Sequence, residues 1–119
     1  MKHHRTARRV VVETLHRLPA ELREAARQVP VCFEDFPAEE LVTDGLDPGI
    51  LGLFVGAPRH EHVHDPGPPP QILLYLENIL DDCEEAGTTF AEEVRRTYLH
   101  ELGHYLGLDE EALAERDLD

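Results

Sequence analysis

The 119-residue chain has little positive charge, no long apolar run and only two cysteines. Its 11 lysines and arginines stand against 25 aspartates and glutamates, a formal charge of −14. A balance this negative repels phosphate, which argues against duplex nucleic acid or an anionic membrane as partner; basic ligands, cations and cationic peptides or proteins are easier ones. No stretch of about 18 apolar residues occurs, so no transmembrane helix is expected. The basic start, Met1 to Arg9, is followed only by Val10-Val11-Val12 before Glu13 interrupts. That falls short of the roughly 7–15 apolar residues of a secretory leader, so no signal peptide is predicted and a cytoplasmic location is expected. Cys32 and Cys83 lack C-x-x-C spacing and read as structural thiols.

What is present suffices for one core. At 41% hydrophobic content, a chain of this length can bury roughly two-thirds of its unfolded surface, so residues 1–119 are expected to form a single domain. Val11, Leu15, Leu18, Leu22 and Ala26 recur at helical spacing between Thr6 and Val29, with Pro19 breaking the run into two helices or a kinked one. Strands are predicted at 29–34, 51–56 and 71–76, and the acidic stretch between the first two, up to Gly49, as loop. Residues 77–86 read as weakly helical or irregular. Thr89 and Glu92 match a capping box that opens a helix to about Leu106, and a short helix is expected over 110–116. No internal repeat is visible.

The segment from Arg59 to Pro70 is too rich in proline for helix or central strand and reads as an exposed loop. His60, His62 and His64 alternate within it and would point the same way in extended chain. A solvated polar loop is the favoured reading over a metal site, because no acidic or cysteine ligand completes the spacing.

The chemistry lies in His100-Glu101-Leu102-Gly103-His104, an H-E-x-x-H arrangement inside the long helix. Two histidines four residues apart lie within about 40° of each other on a helix, so both imidazoles can reach one metal. Glu101 sits about 100° away and can touch a water without being a ligand. Phe90, Val94, Tyr98, Leu102 and Leu106 form the apolar stripe. The three site residues run along its edge, where a cleft between core and solvent belongs. Gly107 can end the helix in a left-handed conformation and turn the chain back toward the same metal. Extended, the pattern is H-E-x-x-H-x-x-G-x-x-E, with Glu110 at the eleventh position. Glu110 is therefore favoured as third ligand, with Asp109 the alternative.

At this point the sequence resembles the bacterial minimal zincin-like metallopeptidase family. The likeness is carried by residues 18–22 (LPAEL), 51–56 (LGLFVG) and 96–110 (RTYLHELGHYLGLDE), in the same order and at similar spacing. It implies a compact α+β fold, a small β-sheet packed beside an active-site helix, with catalytic zinc held by His100, His104 and a carboxylate and with Glu101 as catalytic glutamate. Metzincins share the long motif but add a methionine turn after it; Met1 is the only methionine, so that subclass is excluded. The expected function is zinc-dependent hydrolysis of a peptide or protein substrate, with Arg59, Tyr75, Tyr105 or a loop histidine as candidate oxyanion donor. The alternatives are a catalytically silent metal-binding or protein-interaction module and, last, a metal hydrolase acting on RNA. An exposed edge of strand 51–56 or 71–76 is the expected seat of an extended peptide.

Overall fold

The computed structural model describes residues 2–59 and 67–115; of Lys2 and Glu110 only the backbone is described. The elements run α1 (Lys2–His16), α2 (Ala20–Ala26), β1 (Val31–Glu34), α3 (Glu39–Thr43), β2 (Gly52–Val55), β3 (Gln71–Tyr75), α4 (Leu76–Ala86), α5 (Phe90–Leu106) and α6 (Glu110–Glu115). This is the expected α+β fold, a three-stranded sheet packed beside a long helix. His60, His62 and His64 lie outside the described residues, as does Arg116, the last residue of the expected C-terminal helix.

Pro19 divides α1 from α2 as anticipated, standing just before α2 in an extended conformation (φ −52°, ψ 147°) that cannot continue a helix. Two elements differ from the sequence reading. The acidic stretch before Gly49 contains the short helix α3, which buries no residue and so leaves no apolar period to read. Glu39 and Glu40 occupy its first turn, where negative charge favours helix formation. Of the two readings left open for residues 77–86, helical or irregular, the structure shows the helical one, and the helix also takes in Leu76, which the sequence reading gave to the preceding strand. In α4, Leu76, Ile79 and Cys83 face the core at helical spacing while Asp81, Glu84 and Glu85 stay exposed. Gly87 (φ 74°) then ends it, and the Thr88 N–H bonds back to the Cys83 carbonyl at 3.0 Å.

The sheet order is β1-β3-β2, with β1 parallel and β2 antiparallel to β3. β3 is therefore the central strand, and Ile72 and Leu74 on it are fully buried. Helix α5 is the hub of the molecule, touching α1, α2, α4, α6, β2 and β3. Its predicted stripe is in place: Val94, Tyr98 and Leu102 are buried, and Phe90 and Leu106 pack partly buried on the same cluster. Leu99 and Tyr105 are buried as well, because neighbours cover more of the helix than one stripe.

The contact of α5 with β2 depends on Gly52. A Cβ there would lie 2.8 Å from Thr97 Cγ2 and 3.2 Å from Glu101 Cγ, so only glycine lets strand and helix come this close. Gly52→Val is expected to cost about 1–3 kcal/mol by overpacking, read as a lower urea midpoint, with Thr97→Ser recovering part of the loss by removing the nearest methyl. A valine variant as stable as wild type would contradict this packing.

Candidate metal and catalytic site

The site is built on the C-terminal half of α5. Thr89 caps the helix start by accepting the Glu92 N–H at 3.1 Å, and its hydroxyl donates to the Glu92 carboxylate at 3.0 Å. At the other end Gly107 adopts φ 73°; its N–H bonds to His104 O at 3.3 Å, and the Leu108 N–H bonds to Gly103 O at 2.8 Å. This is the Schellman pattern, and it turns the chain sharply back past the histidines. Gly103 permits the turn to close, since a Cβ on it would lie 3.0 Å from both the Leu108 carbonyl and the Leu113 side chain.

His100 and His104 are exposed, one helical turn apart, with rings nearly perpendicular and centroids 5.0 Å apart. Glu101 beside them is only 8% exposed. One ligand atom from each of these three residues lies within 4.8 Å of the others. Burial raises the Glu101 pKa above the ordinary carboxylate value, partly offset by His100, His104 and the Phe54 backbone N–H, which donates to it. That N–H is available because the Tyr75 N–H bonds to Leu51 O, which places the alternate backbone groups of Gly52 and Phe54 on the side of β2 away from β3.

Between β2 and α5 lies a cleft of about 730 Å³, into which His100, Glu101 and His104 all project. Gly52 and Phe54 form its strand wall, and Glu93, Arg96 and Thr97 continue the helix wall beyond His100. Those three fall on the histidine face because they stand seven, four and three residues before His100. The sequence reading missed them, although the helical period that placed the histidines would have found them. It also missed Asn78 of α4, whose side-chain amide donates to Pro48 O at 2.8 Å and Ile50 O at 2.9 Å and so fixes the chain entering β2.

On its other flank the histidine pair borders a smaller cavity of about 380 Å³, lined also by Gly103, Gly107, Leu108, Asp109 and Leu113. Asp109 thus shares a cavity with both histidines. Its Oδ1 nevertheless accepts the Ala112 N–H at 2.8 Å, and its carbonyl accepts the Leu113 N–H at 3.0 Å, so it serves as the cap of α6. Glu110 is the first residue of α6, with its side chain outside the description.

Of the candidate oxyanion donors from the sequence, the loop histidines lie outside the described residues, and the other three are not brought to the cleft. Tyr75 is buried in β3 and Tyr105 is buried beside the Phe54 ring, with centroids 5.9 Å apart, while Arg59 is exposed; none of the three lines the cleft. Strand 71–76 cannot offer an edge to a peptide, since β3 is paired on both sides. The edge beside the histidines belongs to β2.

The donor set suits zinc. Two imidazoles on one helix face, with the Glu101 carboxylate within 4.8 Å of both, are donors of the kind that zinc takes. No curated protein matches the chain. The family model described as zincin-like metallopeptidase matches residues 26–119, from the end of α2 through α6. With the H-E-x-x-H helix, the glycine turn and the strand-walled cleft in one place, the chain belongs to the zincin-like metallopeptidase family.

Proposed function

We propose that the protein is a zinc-dependent peptidase. The observation that carries this reading is the placement of buried Glu101 between two exposed histidines at the floor of a strand-walled cleft. His100, His104 and Glu110 would hold the metal, with Asp109 the alternative third ligand. Bound zinc would supply Lewis acidity, drawing the pKa of a water toward about 7 and polarising a peptide carbonyl. Glu101 takes the proton from the attacking water and returns it to the leaving amine. The Phe54 N–H holds the carboxylate in place during both transfers. An extended peptide lies along β2 on its cleft side, pairing with the edge groups other than the Phe54 N–H, so that its carbonyls pass over the histidines.

Among the described residues no helix is long and apolar enough to cross a membrane. Cys32 and Cys83 are free thiols, in keeping with the proposed cytoplasmic location. The silent-module alternative is decided by activity: zinc-loaded protein offered a mixed peptide library should release products seen by mass spectrometry, whereas a binding module would release none.

The third ligand is decided by three variants. Asp109→Ala removes the α6 cap at a cost of about 1 kcal/mol whatever its role toward metal, so it cannot judge ligation alone. Asp109→Ser keeps a capping oxygen but deletes the carboxylate. We expect Asp109→Ser to bind zinc like wild type and Glu110→Ala to lose at least tenfold in affinity, measured by competition with a chromogenic chelator. The opposite order would make Asp109 the ligand.

A further inference from the structure

We infer that Arg96 selects substrates carrying an acidic group two residues from the scissile bond; the inference rests on the peptidase reading and names its substrate class. Arg96 stands one helical turn before His100, on the cleft face of α5, with its side chain 61% exposed. Its Nη1 donates to Glu93 Oε1 at 3.1 Å. Glu93 is a buried carboxylate, its side chain only 4% exposed, and it also accepts the Thr88 hydroxyl at 3.2 Å. This arrangement spends the negative charge inside the wall and holds the guanidinium at the mouth. Among the described residues no other acceptor holds the remaining N–H groups, so a planar donor fork is left facing the cleft.

The register of strand and helix sets the distance. Gly52 lies against Thr97 and Glu101, whereas Phe54 donates to Glu101 and stacks near Tyr105, so β2 and α5 run in the same direction. A two-residue step along a strand covers about 6.6 Å. The rise from Arg96 to His100 is about 6 Å. A peptide lying along β2 with its reacting carbonyl at the histidines therefore brings a group two residues away level with Arg96. The net charge of −14 favours cationic partners at long range. Inside the cleft, contact with one guanidinium decides, because screening limits distant charges to roughly 8 Å at physiological salt.

The test is a position-scanned peptide library digested by the zinc-loaded full chain and read by mass spectrometry. Asp and Glu should be enriched over Asn and Gln at a single position two residues from the cut, with kcat/KM for the acid over its amide counterpart about tenfold. That ratio should fall to about one in Arg96→Gln and stay above it in Arg96→Lys. Because Arg96→Gln leaves Glu93 buried without its ion pair, the double variant Glu93→Gln/Arg96→Gln guards against misfolding and should show the same flat ratio. Cleavage by wild type without acidic preference, or a preference that survives in Arg96→Gln, overturns the inference and leaves the peptidase reading standing. Absence of any cleavage overturns both.

Discussion

Glu101→Gln is expected to lower peptide hydrolysis by at least about a thousandfold while the fold and zinc content stay as in wild type. The glutamine has the same length and still accepts the Phe54 N–H through its carbonyl oxygen, but it cannot take a proton from water. The same variant carries a second signature. Because burial raises the Glu101 pKa, the folded metal-free protein holds the proton on Glu101 more readily than the unfolded chain does. The stability tied to that preference is fully present below the unfolded carboxylate pKa of about 4.3 and is lost as pH rises through the raised folded value. Metal-free Glu101→Gln should therefore unfold at a higher temperature than metal-free wild type at pH 7–8, with the gap closing toward pH 4. A mutant that cleaves as fast as wild type would remove Glu101 from the chemistry. A stability gap that widens toward acid would mean that the carboxylate is held as an anion instead.

The second large effect is on metal. His100→Ala and His104→Ala should each reduce zinc binding by more than about a hundredfold, since a three-ligand site that loses one imidazole keeps only two protein donors. Both histidines are exposed, so neither change opens a cavity, and the metal-free variants should unfold close to metal-free wild type. Added zinc should raise the melting temperature of wild type and leave the variants unmoved. Stoichiometric zinc in either variant would contradict the assignment of that residue.

How much of this was legible in the sequence follows from how local each signal is. The limits of α5 could be read because Thr89 with Glu92, the apolar stripe and Gly107 all act within a few residues of one another. The face shared by His100 and His104 is fixed by the helical period alone. Helix α4 was less legible, since three buried residues at helical spacing are set among acidic ones that carry no period of their own. The cleft was not legible at all. Its far wall is β2, brought over α5 by pairing with β3, and the sequence order of three strands does not say which becomes central. Once that wall is in place, Gly52 becomes the contact that admits Glu101, the Phe54 N–H becomes its partner, and Arg96 becomes part of a binding surface. Asp109 shows the same limit in reverse: one residue short of the motif spacing, it was an alternative ligand because it is acidic, and only the geometry of α6 shows its Oδ1 accepting the Ala112 N–H as a cap.

The most direct test of the central claim, a zinc site assembled on α5, is the metal content of untagged protein after dialysis, measured by mass spectrometric elemental analysis. The account predicts one zinc per chain, removed by a strong chelator and restored by added zinc. Protein that emerges metal-free and takes up no zinc when it is supplied would contradict it.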